Sequence, residues 1–459
     1  MKLKVTNPAT GKVVATLPCD DARSVKAKYE RARAAQAAWA RVRLKQRLAA
    51  IARFRELVVA DTEHLARILS TEVGKPIAQA RNELKGVLPR IDFFLEQTAH
   101  ALRTRRVSGG RTEAMEERIS HEPLGVVANI SAWNYPWFVG ANVFVPALLA
   151  GNAVLYKPSE FAAMTGLEIA RLLHAAGIPE GVFTTLIGDG KVGGALVAQP
   201  VDGVFFTGSV GTGKRIAEAL HGRLVKLQLE LGGKDPVYVC EDVDIAKAAA
   251  GIADGAFYNT GQSCCSVERI YVNRRVFAPF VEAFVAEVRR FRRGDPAEES
   301  TYIGPLTRAP QLKVLEAQVK DAVRKGARVL AGGKRVKAKG NWFEPTVLVD
   351  VDHSMAVMRE ESFGPIIGIM AAKDDAEAVR LMNDTHYGLT AGVYTPDRAR
   401  AEKILSQVHS GSVYWNCCDR VSPRLPWSGV GDSGIGLTLS TYGIETFTRP
   451  KAWHLRGAQ

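Results

Sequence analysis

Apolar positions change rhythm along this chain, and each rhythm predicts a different element. The opening alternates: Val5-Thr6, a turn at Asn7-Pro8-Ala9-Thr10-Gly11, then residues 13–17, which together predict a β-hairpin. From residue 22 to 100 the chain is rich in Ala and Arg, and Leu44, Leu48, Ile51, Phe54, Leu57 and Val58 fall at helical spacing. That stretch predicts packed helices. Glu72-Val73-Gly74-Lys75-Pro76 predicts a stop, with glycine at the helix end and proline beyond it. Residues 103–121 are polar, contain Gly109-Gly110 and lack a helical period, which suits exposed strands or a surface loop.

From Gly125 short β-branched runs take over. Residues 126–130, 153–156, 204–207 and 224–229 predict buried parallel strands, and amphipathic stretches at 163–175, 190–198 and 212–221 predict helices between them. This is the pattern of a doubly wound, dinucleotide-binding α/β sheet. A second alternating series runs from about Val237 to Trp415. At 459 residues the chain exceeds what one hydrophobic core supports, so at least two domains are expected.

Composition narrows the classes. Apolar content of 46% and charged content of 24% are those of a globular protein. The net charge of +13 raises the question of a polyanionic partner. Its Lys and Arg residues are scattered, with only short clusters at Arg289-Arg290, Arg292-Arg293 and between Lys334 and Lys339, so no nucleic-acid partner is expected. Six cysteines, at 19, 240, 264, 265, 417 and 418, form neither a disulfide framework nor a zinc spacing, so no metal is expected and reduced thiols fit best. Met1-Lys2-Leu3-Lys4-Val5 lacks a signal-peptide core and no run is long enough to span a membrane, which predicts a soluble, cytoplasmic protein.

Two stretches carry chemistry. In Phe257-Tyr258-Asn259-Thr260-Gly261-Gln262-Ser263-Cys264-Cys265-Ser266 a glycine lets the backbone turn sharply and present a thiol, whose thiolate is a strong nucleophile near neutral pH. Upstream, Leu229-Glu230-Leu231-Gly232-Gly233-Lys234 sets a carboxylate at the end of an apolar run, where burial raises its pKa toward that of a general base. Gly208-Ser209-Val210-Gly211-Thr212-Gly213-Lys214 follows a strand and opens a helix, so its backbone N–H groups suit phosphate oxygens. Asn134 in Trp133-Asn134-Tyr135-Pro136 is a neutral amide donor suited to a developing oxyanion, or else a cap for the helix starting at Pro136.

The chain resembles the aldehyde dehydrogenase superfamily over residues 5–450. The family's Gly-Gln-any-Cys motif falls on Gly261, Gln262 and Cys264, and its Glu-Leu-Gly-Gly motif on Glu230 to Gly233. The resemblance implies Cys264 as nucleophile, Glu230 as the base that activates water, and Asn134 with the Cys264 backbone N–H as oxyanion hole. It implies NAD as cofactor, with NADP possible: Lys157, Ser159 and Glu160 at the adenosine ribose, Gly208, Ser209 and Gly211 at the phosphates, and Trp133, Leu231, Gly232, Glu361 and Phe363 at the nicotinamide end. Glu160 would accept from a free 2′-hydroxyl and repel a 2′-phosphate, which favours NAD. Tyr135, Val139, Asn142, Ser263, Cys265, Val421 and Trp427 would line the pocket for a small-molecule aldehyde.

The implied layout has a dinucleotide-binding domain at 1–102 and 122–230 and a second α/β catalytic domain at 231–432. A small β oligomerisation arm at 103–121 and 433–459 would make a homodimer or homotetramer. The implied reaction is oxidation of the aldehyde to its acid through a thiohemiacetal and a thioester. The alternatives are acyl transfer to CoA, a catalytically silent binding protein, or a thioester hydrolase; Glu230, Cys264 and Asn134 together favour oxidation with hydrolysis. The substrate stays open. Trp427 and Tyr135 suit a cationic aldehyde, Asn142 stands where such members carry tryptophan, and Arg420 or Arg424 could pair with the carboxylate of a semialdehyde, although both read more readily as solvated loop charges.

Overall fold

The Ala- and Arg-rich stretch forms four helices, α1 (Ala22–Arg41), α2 (Leu44–Ala60), α3 (Thr62–Val73) and α4 (Ile77–Ala101), in a computed structural model that describes residues 1–108 and 115–456. Their periodic residues, among them Ile51, Phe54, Val58, Leu69, Leu84 and Ile91, share one core. The stop after α3 is where the sequence sets it. Gly74 has φ 83° and donates its N–H to Ser70, and a Cβ there would stand 2.7 Å from the rings of Pro8 and Pro305. Conformation and space both demand glycine.

The N-terminal hairpin pairs β1 (Lys2–Thr6) with β2 (Val13–Pro18). The polar stretch after α4 contributes β3 (Arg105–Ser108) and β4 (Met115–Pro123); Gly109-Gly110 lie outside the described residues. Five parallel strands follow: β5 (Val126–Ile130), β6 (Ala153–Lys157), β7 (Phe183–Thr185), β8 (Gly203–Thr207) and β9 (Lys226–Glu230). Between them lie α5 (Pro136–Ala150), α6 (Ala163–Ala175), α7 (Gly190–Val197) and α8 (Val210–Ala219). Strands β5, β6 and β8 are buried throughout, which is why they read as unbroken apolar runs.

The second series begins with β10 (Asp235–Val239), α9 (Ile245–Phe257) and β11 (Val267–Asn273). It continues through β12 (Arg328–Ala331), β13 (Thr346–Val349), β14 (Ile366–Ala372), β15 (Thr390–Tyr394) and β16 (Ser412–Trp415). These strands form one sheet in the order β12-β13-β14-β11-β10-β15-β16. The chain then returns to the first sheet, where β17 (Gly434–Ile435) pairs antiparallel with β9 and completes the order β17-β9-β8-β5-β6-β7. The last strand, β18 (Thr448–Arg456), pairs antiparallel with β4 beside β3. The α/β, doubly wound class expected from the sequence is the observed one.

Two local expectations shift. The strand expected at 224–229 starts at Lys226, because Leu224 is 109% exposed, and it ends on Glu230. Strand β7 was not anticipated, since three residues are too few to show a period. Ile130, Lys157, Thr207 and Glu230 end parallel strands and therefore lie along one edge, the place where open α/β sheets bind ligands. Among the described residues no helix is long and apolar enough to cross a membrane, and all six cysteines are free.

Buried Asn152 joins three parts of this frame. Its Oδ1 accepts from the Gly125 N–H at 2.9 Å, and its Nδ2 donates to the carbonyls of Ala147 and Phe447 at 3.0 Å each. Asn152→Ala strands those buried groups and is expected to destabilise the protein by about 2–4 kcal/mol. Thermal unfolding followed by circular dichroism checks this: the midpoint should fall by several degrees while the folded spectrum is retained.

Candidate active site

The thiol stretch has an unusual backbone. After α9 the chain makes a short 3-10 turn in which Asn259 (φ 53°), Thr260 (φ 60°) and Gly261 (φ 69°) are all left-handed. Glycine adopts this freely, but β-branched Thr260 costs on the order of 1–3 kcal/mol there. Side chains from distant elements hold the strain. Gln79 accepts from the Asn259 N–H at 2.9 Å, and the Asn259 Nδ2 donates to the carbonyls of Asn134 and Gln262 at 3.2 and 3.1 Å. Thr260 Oγ1 bonds both backbone groups of Gly304, and Gln262 Oε1 accepts from the Thr307 N–H at 2.9 Å. A Cβ on Gly261 would stand 2.4 Å from the Gly364 carbonyl oxygen. The glutamine and glycine of the motif therefore fix the loop that carries the cysteine.

That loop delivers half-buried Cys264 to the boundary of two cavities, and it lines both. On one side lies a cavity of about 500 Å³ walled by Tyr135, Val139, Asn142, Ser263, Cys265, Val421 and Trp427, all seven residues expected at a substrate pocket. On the other lies a cavity of about 270 Å³ lined by Trp133, Asn134, Gly208, Ser209, Glu230, Leu231, Gly232, Glu361 and Phe363. It adjoins a third of about 550 Å³ that reaches Lys157, Ser159 and Glu160, the two sharing Trp133, Thr207, Gly208, Ser209 and Arg308. Gly211 is the exception among the expected residues. It lies exposed in the first turn of α8 and lines none of these three cavities.

Glu230 is buried and its pKa is pushed up to about 7, chiefly because burial disfavours the charged form; Thr438 Oγ1 donates to its Oε1. A carboxyl poised near neutrality suits a general base. Asn134 does not cap α5, whose cap position is Tyr135 and has no side-chain bond. Instead its Nδ2 donates at 3.1 Å to the carbonyl of Gln262, inside the thiol loop, which leaves the second amide hydrogen for a ligand. Lys75 holds the Asn134 carbonyl at 2.7 Å and pairs with buried Glu83. The stretch around Gly74, expected only to stop a helix, thus also steadies the site. Cys265 donates to Asp419 at 3.0 Å, and its bond to Cys264 together with burial holds its pKa well above the usual thiol range. That favours its neighbour as nucleophile.

The far wall is held by a buried ion pair. Lys234 Nζ lies 2.6 Å from Glu268, which also accepts from the Ser362 and Phe363 N–H groups at 2.8 and 2.9 Å. This pins Glu361 and Phe363 at the cavity, where Glu361 accepts from the Gly233 N–H at 3.3 Å and burial pushes its carboxyl up to about 8. Trp133 meets Phe363 edge-on at 5.5 Å. A dinucleotide fits these adjoining cavities. Arg308 lines both with its Nε buried and unpartnered, ready for an anionic diphosphate, and Lys157 and Ser159 reach Glu160 at 3.4 Å at the other end. Arg308, Thr207, Phe138 and Arg90 were not anticipated, because no local pattern in the sequence marks them.

Comparison with known proteins agrees with this layout. A family model described as "Aldehyde dehydrogenase family" matches residues 1–453. The chain is 36% identical over 455 residues to a glutarate-semialdehyde dehydrogenase of Pseudomonas putida, covering 98% of this chain and 93% of that protein. It is likewise 36% identical over 449 residues to a succinate-semialdehyde dehydrogenase [NADP(+)] of Deinococcus radiodurans, covering 97% and 93%. The crystal structure of PnpE in complex with nicotinamide adenine dinucleotide superimposes with a TM-score of 0.96 at 32% identity, covering 99% of this chain and 94% of that one.

The Lys234–Glu268 pair generates a test. Lys234→Met leaves a carboxylate buried with no ammonium partner, which typically costs about 3–5 kcal/mol. Urea unfolding should show a lower midpoint with an unchanged slope, their product falling by that amount, and a midpoint at the wild-type value would mean the pair does not hold this wall.

Proposed function

The chain belongs to the aldehyde dehydrogenase family, and we propose that Cys264, Asn134 and Glu230 carry out its oxidation of an aldehyde to a carboxylic acid with NAD(P). The observation that carries this assignment is the position of Cys264, the residue common to the cavity on the substrate side and the cavity on the dinucleotide side.

Cys264 Sγ attacks the aldehyde carbon and forms a thiohemiacetal. The oxyanion falls to the free Asn134 amide hydrogen and the Cys264 backbone N–H, a donor pair of which each member is worth on the order of 3 kcal/mol of barrier. A nicotinamide held by Glu361 and Phe363 would supply the hydride acceptor needed to take the Cys264 adduct to a thioester. Glu230 then takes a proton from water, which attacks the thioester carbonyl, and Cys264 leaves as the acid departs. Lys157, Ser159 and Glu160 would hold the adenosine ribose, Arg308 and the start of α8 the diphosphate, and Glu361 with Phe363 the nicotinamide end. Glu160 at the ribose favours NAD, since its carboxylate would repel a 2′-phosphate.

The relatives' names point to a semialdehyde, an aldehyde carrying a distal carboxylate, as the substrate class. Exposed Val107, Met115, Trp453 and Leu455 on the arm formed by β3, β4 and β18 suit contact with a second copy of the chain, and free cysteines suit the cytoplasm.

Cys264→Ala should abolish oxidation and leave dinucleotide affinity, read by fluorescence titration, nearly unchanged. Glu230→Gln should give a single-turnover burst of reduced cofactor and then stall as the acyl-enzyme, visible by intact mass; sustained turnover would unseat Glu230 as the base. The base acts only when deprotonated. Thioester hydrolysis in the wild type should therefore rise with pH through about 7 and level off above it, and the Gln variant should lack that limb.

A further inference from the structure

The cavity on the substrate side contains a cation that no acid balances. Arg90 lies on α4, one turn beyond Gly86, and is only 6% exposed. A Cβ on Gly86 would stand 2.7 Å from Phe138, so the glycine admits that ring against the helix. Phe138 stacks on Tyr135 at 5.5 Å, and the Arg90 guanidinium lies 3.8 Å from the centre of the Phe138 ring. The guanidinium thus rests on an aromatic wall of the cavity that ends at Cys264.

Its protein partners are few and neutral. Nη1 donates to the Gly86 carbonyl at 3.0 Å, Nη2 reaches the Val421 carbonyl at only 3.5 Å, and buried Nε has no partner. The nearby acids are engaged elsewhere. Glu83 pairs with Lys75 and accepts from the Trp137 N–H, Glu230 attracts Arg90 only from a distance and accepts from Thr438, and Asp419 accepts from Ser263 and Cys265. A buried, unbalanced guanidinium is costly, and the cost is offset when a ligand brings the missing anion.

We propose that Arg90 receives the distal carboxylate of the substrate and thereby selects semialdehydes over neutral aldehydes. The inference rests on the semialdehyde reading given above and assigns it to one side chain. It departs from the sequence expectation, which looked to Arg420 and Arg424. Arg424 does not line the cavity, and Arg420 is an exposed residue at its rim, where water screens an ion pair. A guanidinium held flat and desolvated offers a carboxylate parallel N–H donors in low dielectric. With the acid end held at Arg90, the carbonyl end is carried to Cys264 at a chain length fixed by the cavity.

The test compares kcat/KM for glutaric semialdehyde and for pentanal, a neutral aldehyde of equal length. The wild type should prefer the semialdehyde. In Arg90→Met the ratio should fall at least about 30-fold, the lower end of what losing one member of a buried charge pair costs, and most of the change should lie in KM. Arg90→Lys should recover part of it. Ligand-free Arg90→Met should melt at or above the wild-type temperature, since an unbalanced buried charge has been removed; a fall of many degrees would mark Arg90 as structural and overturn the proposal. A ratio within threefold of wild type in Arg90→Met, or a preference lost instead in Arg420→Gln, would overturn it too and leave the semialdehyde reading standing. A wild type that oxidises pentanal as well as glutaric semialdehyde would defeat that reading itself.

Discussion

One sulfur must face two cavities at once, and the left-handed run at Asn259, Thr260 and Gly261 is what allows it. An ordinary helical exit from α9 would carry the thiol into the core between the sheets. The strained turn swings it outward instead, and the strain persists because Gln79 and the loop carrying Gly304 and Thr307, two other parts of the chain, hold it. The backbone of this turn is thus set by tertiary contacts rather than by its own preference. Asn134 belongs to the same set, since its amide is oriented by the Gln262 carbonyl and its own carbonyl by Lys75 and Asn259.

Around that loop the protein buries many charges, and they divide into two kinds. Lys75 with Glu83 and Lys234 with Glu268 are paired, and their spare atoms are taken up by backbone groups. Desolvation there is compensated, and these groups serve as rigid supports. Glu230 and Arg90 are buried without an ion-pair contact, and burial outweighs their attraction for each other and moves each toward its neutral form, the acid up to about 7 and the arginine down to about 10. Both line cavities. The two pairs brace the site and the two single charges face its cavities, whereas Arg269, fully buried and also without an acidic partner, is satisfied by the carbonyls of Lys234, Leu381 and Met382.

This division explains what the sequence disclosed. Short motifs around Cys264, Glu230 and Glu361 were legible because each is a local run whose glycines permit one backbone path. Parallel strands were legible because burial on both faces leaves an unbroken apolar run, although Leu224 shows how one exposed apolar residue can stretch such a run too far. Arg90 and Arg308 were illegible because an arginine in a helical stretch looks like a solvated face until the fold closes over it. Lys75 hid inside a convincing helix stop, where Gly74 and Pro76 already explained the pattern.

The path between the two sheets ties these pieces together. Glu230 ends a strand of the first sheet and Asp235 begins one of the second, so the crossing itself runs through the site. Ser433 clasps it there: its carbonyl accepts from the Leu231 N–H, and its hydroxyl donates to the Gly232 carbonyl while accepting from the Gly388 N–H. A side chain on Gly232 would collide with Glu361, so the crossing passes close against the wall that Lys234 and Glu268 hold. Glu230 therefore belongs to one sheet and Cys264 to a loop of the other, and the four-residue crossing, together with the bonds from Gln79 and Asn134 to the thiol loop, sets their relation. The crossing touches both groups, since Glu230 precedes it and a Cβ on Gly233 would stand 3.1 Å from the Cys264 carbonyl oxygen, so a change that loosens it should disturb thiol attack and water activation together.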